Sequence, residues 1–311
     1  MTPLLAIVGP TATGKTALAL GLAERFGGEI VSCDSTAVYR GVDIGTDKPS
    51  VDERRGIPHH LIDVADPTEV YSAARYAREA AAAIEGIGQR GRVPILVGGT
   101  GFYFRALVRG LFPGPARDEV LRARLDRVSD RRGVECLHRW LVRVDAASAA
   151  RIQPRDRKRL VRALEVYLLT GRPLTDHFAE TTSPVAGRHV LTLGLTMPRP
   201  ALRARVAARV DAQFARGVVA EVEQLVAAGV PATAHVFSGL VYRQVIEMRQ
   251  GTRDLAATRD LIVRENMRYA RRQLTWFRKE AGVYWLEGAG ESPATQEQAT
   301  TAVVAMLKNK T

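Results

Sequence analysis

The chain has 311 residues, 46% hydrophobic and 25% charged, and no apolar run approaches the length of a membrane-spanning helix, which argues against an integral helical membrane protein. The two cysteines, Cys33 and Cys136, stand apart from any Cys-x-x-Cys or Cys/His cluster; this excludes a disulfide framework and a cysteine zinc site, and it suits a reducing, cytoplasmic setting. Net charge is +12 and uneven: residues 1–115 hold 12 basic and 12 acidic residues, residues 116–311 hold 33 and 21, so the whole surplus lies in the later part and points to a polyanionic partner such as nucleic acid.

In chain order, the N-terminus runs straight into LLAIV at residues 4–8, which reads as a short buried strand and not as a signal peptide. A glycine-rich turn follows, then helical spacing over Lys15–Phe26 (Leu18, Leu22, Phe26), ended by Gly27-Gly28. Ile30–Cys33 is a second strand, stopping at Asp34. Ala73–Ile87 is alanine-rich and helical, and Val93–Val97 is a third apolar strand leading into Gly98-Gly99-Thr100-Gly101. Strand and helix in alternation predict a parallel α/β sheet, with functional groups at the strand C-termini. From about Pro113 the texture changes. Residues 117–180 are helical and arginine-rich, before Val190–Leu195 resumes as a buried strand. Helices are predicted over 201–229 and 254–280, then a weak strand at Val283–Leu286 and a terminal helix. The domain reading is a P-loop α/β core formed by 1–115 and 188–311, interrupted by a helical insertion at 116–187.

GPTATGKT at Gly9–Thr16 fits G-x-x-x-x-G-K-[ST] between a strand and a helix. Gly9, Pro10, Thr11, Ala12, Thr13, Gly14, Lys15 and Thr16 would curl around an anion, with backbone N–H groups turned inward. Lys15 supplies a point charge, and Thr16 offers a hydroxyl to Mg²⁺. An NTPase also wants an apolar strand ending in an acid. Ile95-Leu96-Val97 runs into Gly-Gly-Thr, and Leu61-Ile62-Asp63 is too short. Asp34 is the one acid directly after a strand near the loop. Phosphate binding, a carboxylate and a hydroxyl suit a transfer in which diphosphate leaves.

GPTATGKT, IVSCDSTAVYRGVDIGTDKPS at 30–50, VGGTGFYFRAL at 97–107 and RRQLTWFR at 271–278 together resemble the bacterial tRNA dimethylallyltransferases (tRNA isopentenyltransferases), as do PHHLIDV at 58–64 and RDRKRLVRALEVYLLTG at 155–171. Ala37 stands where the family often has Gln, and Val241 precedes Tyr242 where it usually has Gly. The resemblance implies transfer of a dimethylallyl group from dimethylallyl diphosphate to N6 of the adenosine 3′ to the anticodon, in tRNAs reading U-starting codons. It implies Mg²⁺, a P-loop core and a helical insertion that grips the anticodon stem-loop. It places Thr100 near the bridging oxygen, Arg209 on the diphosphate and Asp34 as general base toward N6. Asp34 as a partner of Mg²⁺ or Thr16, Thr100 as a simple helix cap, and Arg203 or Arg205 in place of Arg209 stay open alternatives.

The RNA-facing set expected is Asp34, Ser35, Thr36 and Ala37 at the flipped base, with Thr100; Arg122, Lys158, Arg159, Leu160, Val161 and Arg162 in the insertion; and Arg271, Arg272, Gln273 and Arg278 in the later helix. Lys158, Arg159 and Arg162 fall at i, i+1 and i+4 of a predicted helix. Arg264, Arg268, Arg271 and Arg272 form a basic stripe interleaved with Tyr269, Trp276 and Phe277, although Trp276 and Phe277 suit a core equally well. A monomer is expected. The rival readings are a P-loop kinase of a nucleotide or small metabolite, and an RNA-binding nucleotide switch.

Overall fold

The computed structural model describes residues 2–308. The chain opens with β1 (Leu4–Val8), α1 (Lys15–Phe26), β2 (Gly28–Cys33), the two-residue β3 (His59–His60), α2 (Ala73–Gln89), β4 (Val93–Gly98) and α3 (Gly101–Val108). Five helices follow: α4 (Glu119–Arg132), α5 (Glu135–Val144), α6 (Ala146–Arg151), α7 (Arg157–Thr170) and α8 (Leu174–Phe178). Then come β5 (Val190–Thr196), α9 (Arg199–Ala215), α10 (Val218–Ala227), a 3₁₀ turn at His235–Ser238, α11 (Leu240–Arg249), α12 (Leu255–Phe277), β6 (Val283–Glu287) and α13 (Pro293–Lys308).

The chain divides into two compact units. The first runs through Leu107 and resumes at Val185; the second is Val108–Pro184.

In the first unit six strands form one parallel sheet in the order β3-β2-β4-β1-β5-β6. β1 is buried along its whole length, as a central strand covered on both faces requires. Leu5, Ile7, Leu18, Leu22, Ile95 and Leu193 pack with Ala299 and Val303 of α13 into one core. Helix α1 stops where Gly27 takes a left-handed conformation and returns its N–H to Ala23, a glycine cap. The second unit has its own core, built from Leu125, Leu137, Leu141, Leu160, Leu164 and Val166. Three of its helices, α4, α6 and α7, start on aspartates: Asp118, Asp145 and Asp156 accept from the N–H groups of Leu121, Ser148 and Arg159.

Candidate active site

Register assembles the site. Val8 and Cys33 both pair with Gly98, so the residues that follow, Gly9, Asp34 and Gly99-Thr100, emerge side by side at the C-terminal edge of β1, β2 and β4. The approach is close: a Cβ on Gly99 would lie 2.0 Å from the Gln273 amide nitrogen and 3.3 Å from the Gly9 carbonyl oxygen. Glycine there lets the β4 turn, the P-loop and α12 meet.

The P-loop is braced from three sides. Thr13 Oγ1 donates to the Pro10 carbonyl at 2.9 Å, and Lys15 Nζ donates to the same carbonyl at 2.6 Å. Gln273 accepts from Thr11 N–H at 2.8 Å and donates to the Gly99 carbonyl at 3.0 Å. Arg205 donates to the Ala12 carbonyl at 2.7 Å and pairs with Glu291, while Gly290 N–H bonds the Thr13 carbonyl. Burial pushes the Lys15 ammonium down to about 7, with Arg209 adding to the effect and Asp34 and Cys33 opposing it. A lysine held this close to neutrality is a site set up to receive negative charge.

Asp34 closes a tight turn on itself. Its Oδ1 accepts from Thr36 N–H (2.8 Å), Thr36 Oγ1 (2.6 Å) and Ala37 N–H (3.4 Å). Thr100 Oγ1 accepts from Ser35 N–H at 3.1 Å and makes a long 3.4 Å contact to Ser35 Oγ. Burial, and then the charge of Asp34, push the Tyr269 hydroxyl up to about 12, so it stays a donor. Cys33 is buried beneath, its thiol pushed up to about 12 by that burial.

Arg209 of α9 reaches the loop. It donates to Thr11 Oγ1 at 2.8 Å and to the Thr46 carbonyl at 3.4 Å, and it pairs with Asp47. Arg205 stands behind the loop on Ala12, and Arg203 is exposed. Of the three arginines, Arg209 is the one that lines the chambers described next.

Two chambers meet here. One, of about 140 Å³, is lined by Lys15, Thr16, Asp34, Gly99 and Arg209, with Ala19, Ile30, Ala37, Ile62 and Val97 as an apolar wall. The other, of about 290 Å³, is lined by Ser35, Thr36, His235, Val241, Tyr242, Asn266 and Arg272. Thr11, Asp34, Thr46, Arg209 and Tyr269 belong to both.

Three expected RNA contacts are corrected by burial. Leu160 (0% exposed) and Val161 (4%) lie in the core of the second unit, because the helical period turns them inward from Lys158 and Arg159. Gln273 (5%) points at the P-loop, with its amide oxygen and nitrogen committed to Thr11 and Gly99. Arg122 grips the buried Glu165 with two bonds, at 2.8 and 2.9 Å, and Arg162 adds a third at 2.7 Å. Lys158, Arg159, Arg271, Arg272 and Arg278 are exposed. Phe277 is core, and Trp276 lies under Arg105, 4.5 Å from its ring. Asp63, considered above as a strand-end acid, pairs with Lys48. Residues not singled out in the sequence but lining the site include Thr46 and Asp47, which the GTDKPS stretch carried without marking a role, and Gln213 and Glu221 bond to the same segment from behind.

Replacing Gln273 with Leu leaves the Thr11 N–H and the Gly99 carbonyl without partners. The expected cost is about 1–3 kcal/mol of stability, together with weaker pyrophosphate binding, read by thermal melting and by calorimetric titration.

Residues 37–280 match the family model described as IPP transferase. The chain belongs to the IPP transferase family. Its relatives include the tRNA dimethylallyltransferase of Thermomicrobium roseum, 49% identical over 92% of this chain and 86% of that one. That of Solibacter usitatus is 47% identical over 98% of this chain and 99% of that one, a span that includes P-loop residues ahead of the family match. Among solved structures, the full-length tRNA isopentenylpyrophosphate transferase of Bacillus halodurans superposes with a TM-score of 0.75 at 36% identity, covering 100% of this chain and 98% of that one. A eukaryotic dimethylallyltransferase captured acting on tRNA gives 0.79 at 27% identity, covering 98% of this chain and 78% of that one. The IPP transferase fold is thus shared along the whole chain. Among the described residues no helix is long and apolar enough to cross a membrane.

Proposed function

We propose that this chain transfers a dimethylallyl group from dimethylallyl diphosphate to N6 of the adenosine next to the anticodon in tRNA and releases pyrophosphate. The observation that carries the reading is Asp34 in the wall common to the two chambers, the first anion-binding and partly apolar, the second faced by Tyr242, Asn266 and Arg272. The diphosphate and its five-carbon tail occupy the first chamber, and the flipped adenine the second; extrusion costs a few kcal/mol, which stem-loop contacts offset.

The N6 lone pair is delocalised into the ring and attacks weakly, whereas the allylic C1 tolerates positive charge. The N6–C1 bond forms as C1–O breaks, the electron pair leaves with pyrophosphate, and the N6 proton passes to the second Asp34 oxygen, Oδ2. Lys15, the loop amides and Arg209 stabilise the departing charge. Thr100 gives up its long Ser35 contact and donates to the bridging oxygen. Among the described residues no three His, Cys, Asp or Glu side chains gather as a metal cage. Thr16, whose hydroxyl-bearing side chain lines the first chamber, is the residue that would hold Mg²⁺ there. When bound, the ion offsets charge on the leaving group. Two free thiols and a tRNA substrate suit the cytoplasm.

A stem-loop RNA incubated with dimethylallyl diphosphate is expected to gain the mass of one dimethylallyl group less the hydrogen it replaces on N6. ATP in its place is expected to give no adduct. ATP turnover without an RNA adduct would favour the kinase reading.

The exposed arginines in and just past the last turns of α12 give a second expectation. Log affinity for tRNA should fall linearly with log salt, and Arg271→Ala or Arg278→Ala should each lower that slope by about 1. A filter-binding series across salt reads it.

A further inference from the structure

The segment that braces the Arg209 guanidinium, residues 43–47, is held by one buried carboxylate. Glu221 of α10 is 9% exposed. Its Oε2 accepts from Asp43 N–H and Ile44 N–H, both at 2.7 Å, and its Oε1 accepts from Gly45 N–H at 3.1 Å and from the Tyr242 hydroxyl at 2.7 Å. Burial first, and then the Glu221 charge, keep Tyr242 protonated well above its ordinary range, so it remains a donor. Four donors on one carboxylate offset the cost of taking it out of water. The fit is close on the other side as well: a Cβ on Gly45 would lie 2.6 Å from the Tyr242 ring.

The loop held in this way leads directly to the site. Gln213 donates to the Gly45 carbonyl at 3.3 Å and to Asp47 at 3.2 Å. Asp47 pairs with Arg209, and the Thr46 carbonyl accepts from the same guanidinium, whose other arm meets Thr11 of the P-loop. A chain of contacts therefore runs from Glu221 through three consecutive backbone amides to Thr46 and Asp47, and from there to Arg209. We infer that Glu221 is a positioning residue for prenyl transfer, setting the Arg209 guanidinium against the diphosphate through residues 43–47. The inference rests on the assignment of Arg209 to the diphosphate.

The conservative test is Glu221→Gln. Its new NH₂ group faces N–H donors and cannot accept from them, so the loop is released while side-chain volume is kept. Misplacement of a charge clamp of this kind is expected to lower kcat/KM for the allylic diphosphate on the order of tenfold to a hundredfold. Gly45→Ala perturbs the same loop from the Tyr242 side and is expected to act in the same direction. A fold-wide weakness would lower activity independently of Arg209, so the deciding readout is a double-mutant cycle. On an Arg209→Ala background, Glu221→Gln and Gly45→Ala are each expected to cause no further loss in kcat/KM for the diphosphate, while each lowers the melting temperature equally in both backgrounds. Wild-type kcat/KM in both loop variants overturns the inference. So does a loss of the same factor with and without Arg209. A silent Arg209→Ala instead overturns the diphosphate role of Arg209, and the inference falls with it.

Discussion

Asp34→Asn and Asp34→Ala are expected to lower kcat for prenyl transfer by about 10²- to 10⁴-fold while tRNA affinity stays close to that of the unsubstituted protein. The reason is the division of labour between the two carboxylate oxygens. Oδ1 is committed to the turn through Thr36 and Ala37. Oδ2 has no bonded partner among the described residues, and Asp34 lines both chambers. In the Asn variant the amide oxygen still serves the turn, so the DST segment keeps its shape. Its NH₂ then meets the N6 amino group donor to donor and cannot take a proton. Single-turnover prenylation measured beside equilibrium RNA binding separates the two effects. Near-normal turnover in both variants would remove Asp34 from the chemistry.

Lys15→Ala is expected to cost about 10²- to 10³-fold in kcat, the range for removing one preorganised stabiliser of developing charge. Lys15 also sets a pH dependence whose sign follows from its environment. In the free protein burial and Arg209 hold its ammonium near 7. A bound diphosphate favours the charged form and raises that value. Between the two values binding takes up a proton, so KM for the allylic diphosphate is expected to rise above pH 7, approaching about tenfold per pH unit, and to be flat below it. Titration calorimetry at pH 8.5 in two buffers of different ionisation heat should show uptake of up to one proton. In Lys15→Ala that uptake should vanish. Identical heats in the two buffers for the unsubstituted protein would contradict the placement of Lys15.

The P-loop, Asp34 and Thr100 were legible because each follows a short apolar run, and a parallel sheet brings such strand ends together whatever the intervening sequence. Helices α1, α2 and α12 were legible from period and glycine punctuation. β3 was not, since His59 and His60 are a strand only by virtue of pairing with Ile30 and Val31. Neither α3 nor α11 stood out: the first is eight residues entered through glycines, and the second, LVYRQVIEMR, lacks a clean apolar stripe. Val241, which departs from the usual Gly, is accommodated in the first turn of α11 as a buried wall of the second chamber. Leu160, Val161 and Gln273 were misread because whole stretches were carried over as RNA-facing, although a helix turns neighbouring residues to different sides. Glu221 had no signature at all, because its partners are mostly backbone amides of a loop 176–178 residues away.

Prenyl transfer at the Asp34 junction couples diphosphate departure to the exocyclic amine, and that coupling can be measured directly. An anticodon stem-loop carrying purine riboside, which lacks N6, in place of the target adenosine can be compared with the adenosine stem-loop for pyrophosphate release from dimethylallyl diphosphate. One pyrophosphate per prenylated adenosine is expected with the normal RNA, and release at background with the purine RNA, although both bind. Pyrophosphate release at an equal rate from the purine RNA would contradict that coupling, because C1 would then be attacked by something other than N6 at the Asp34 junction.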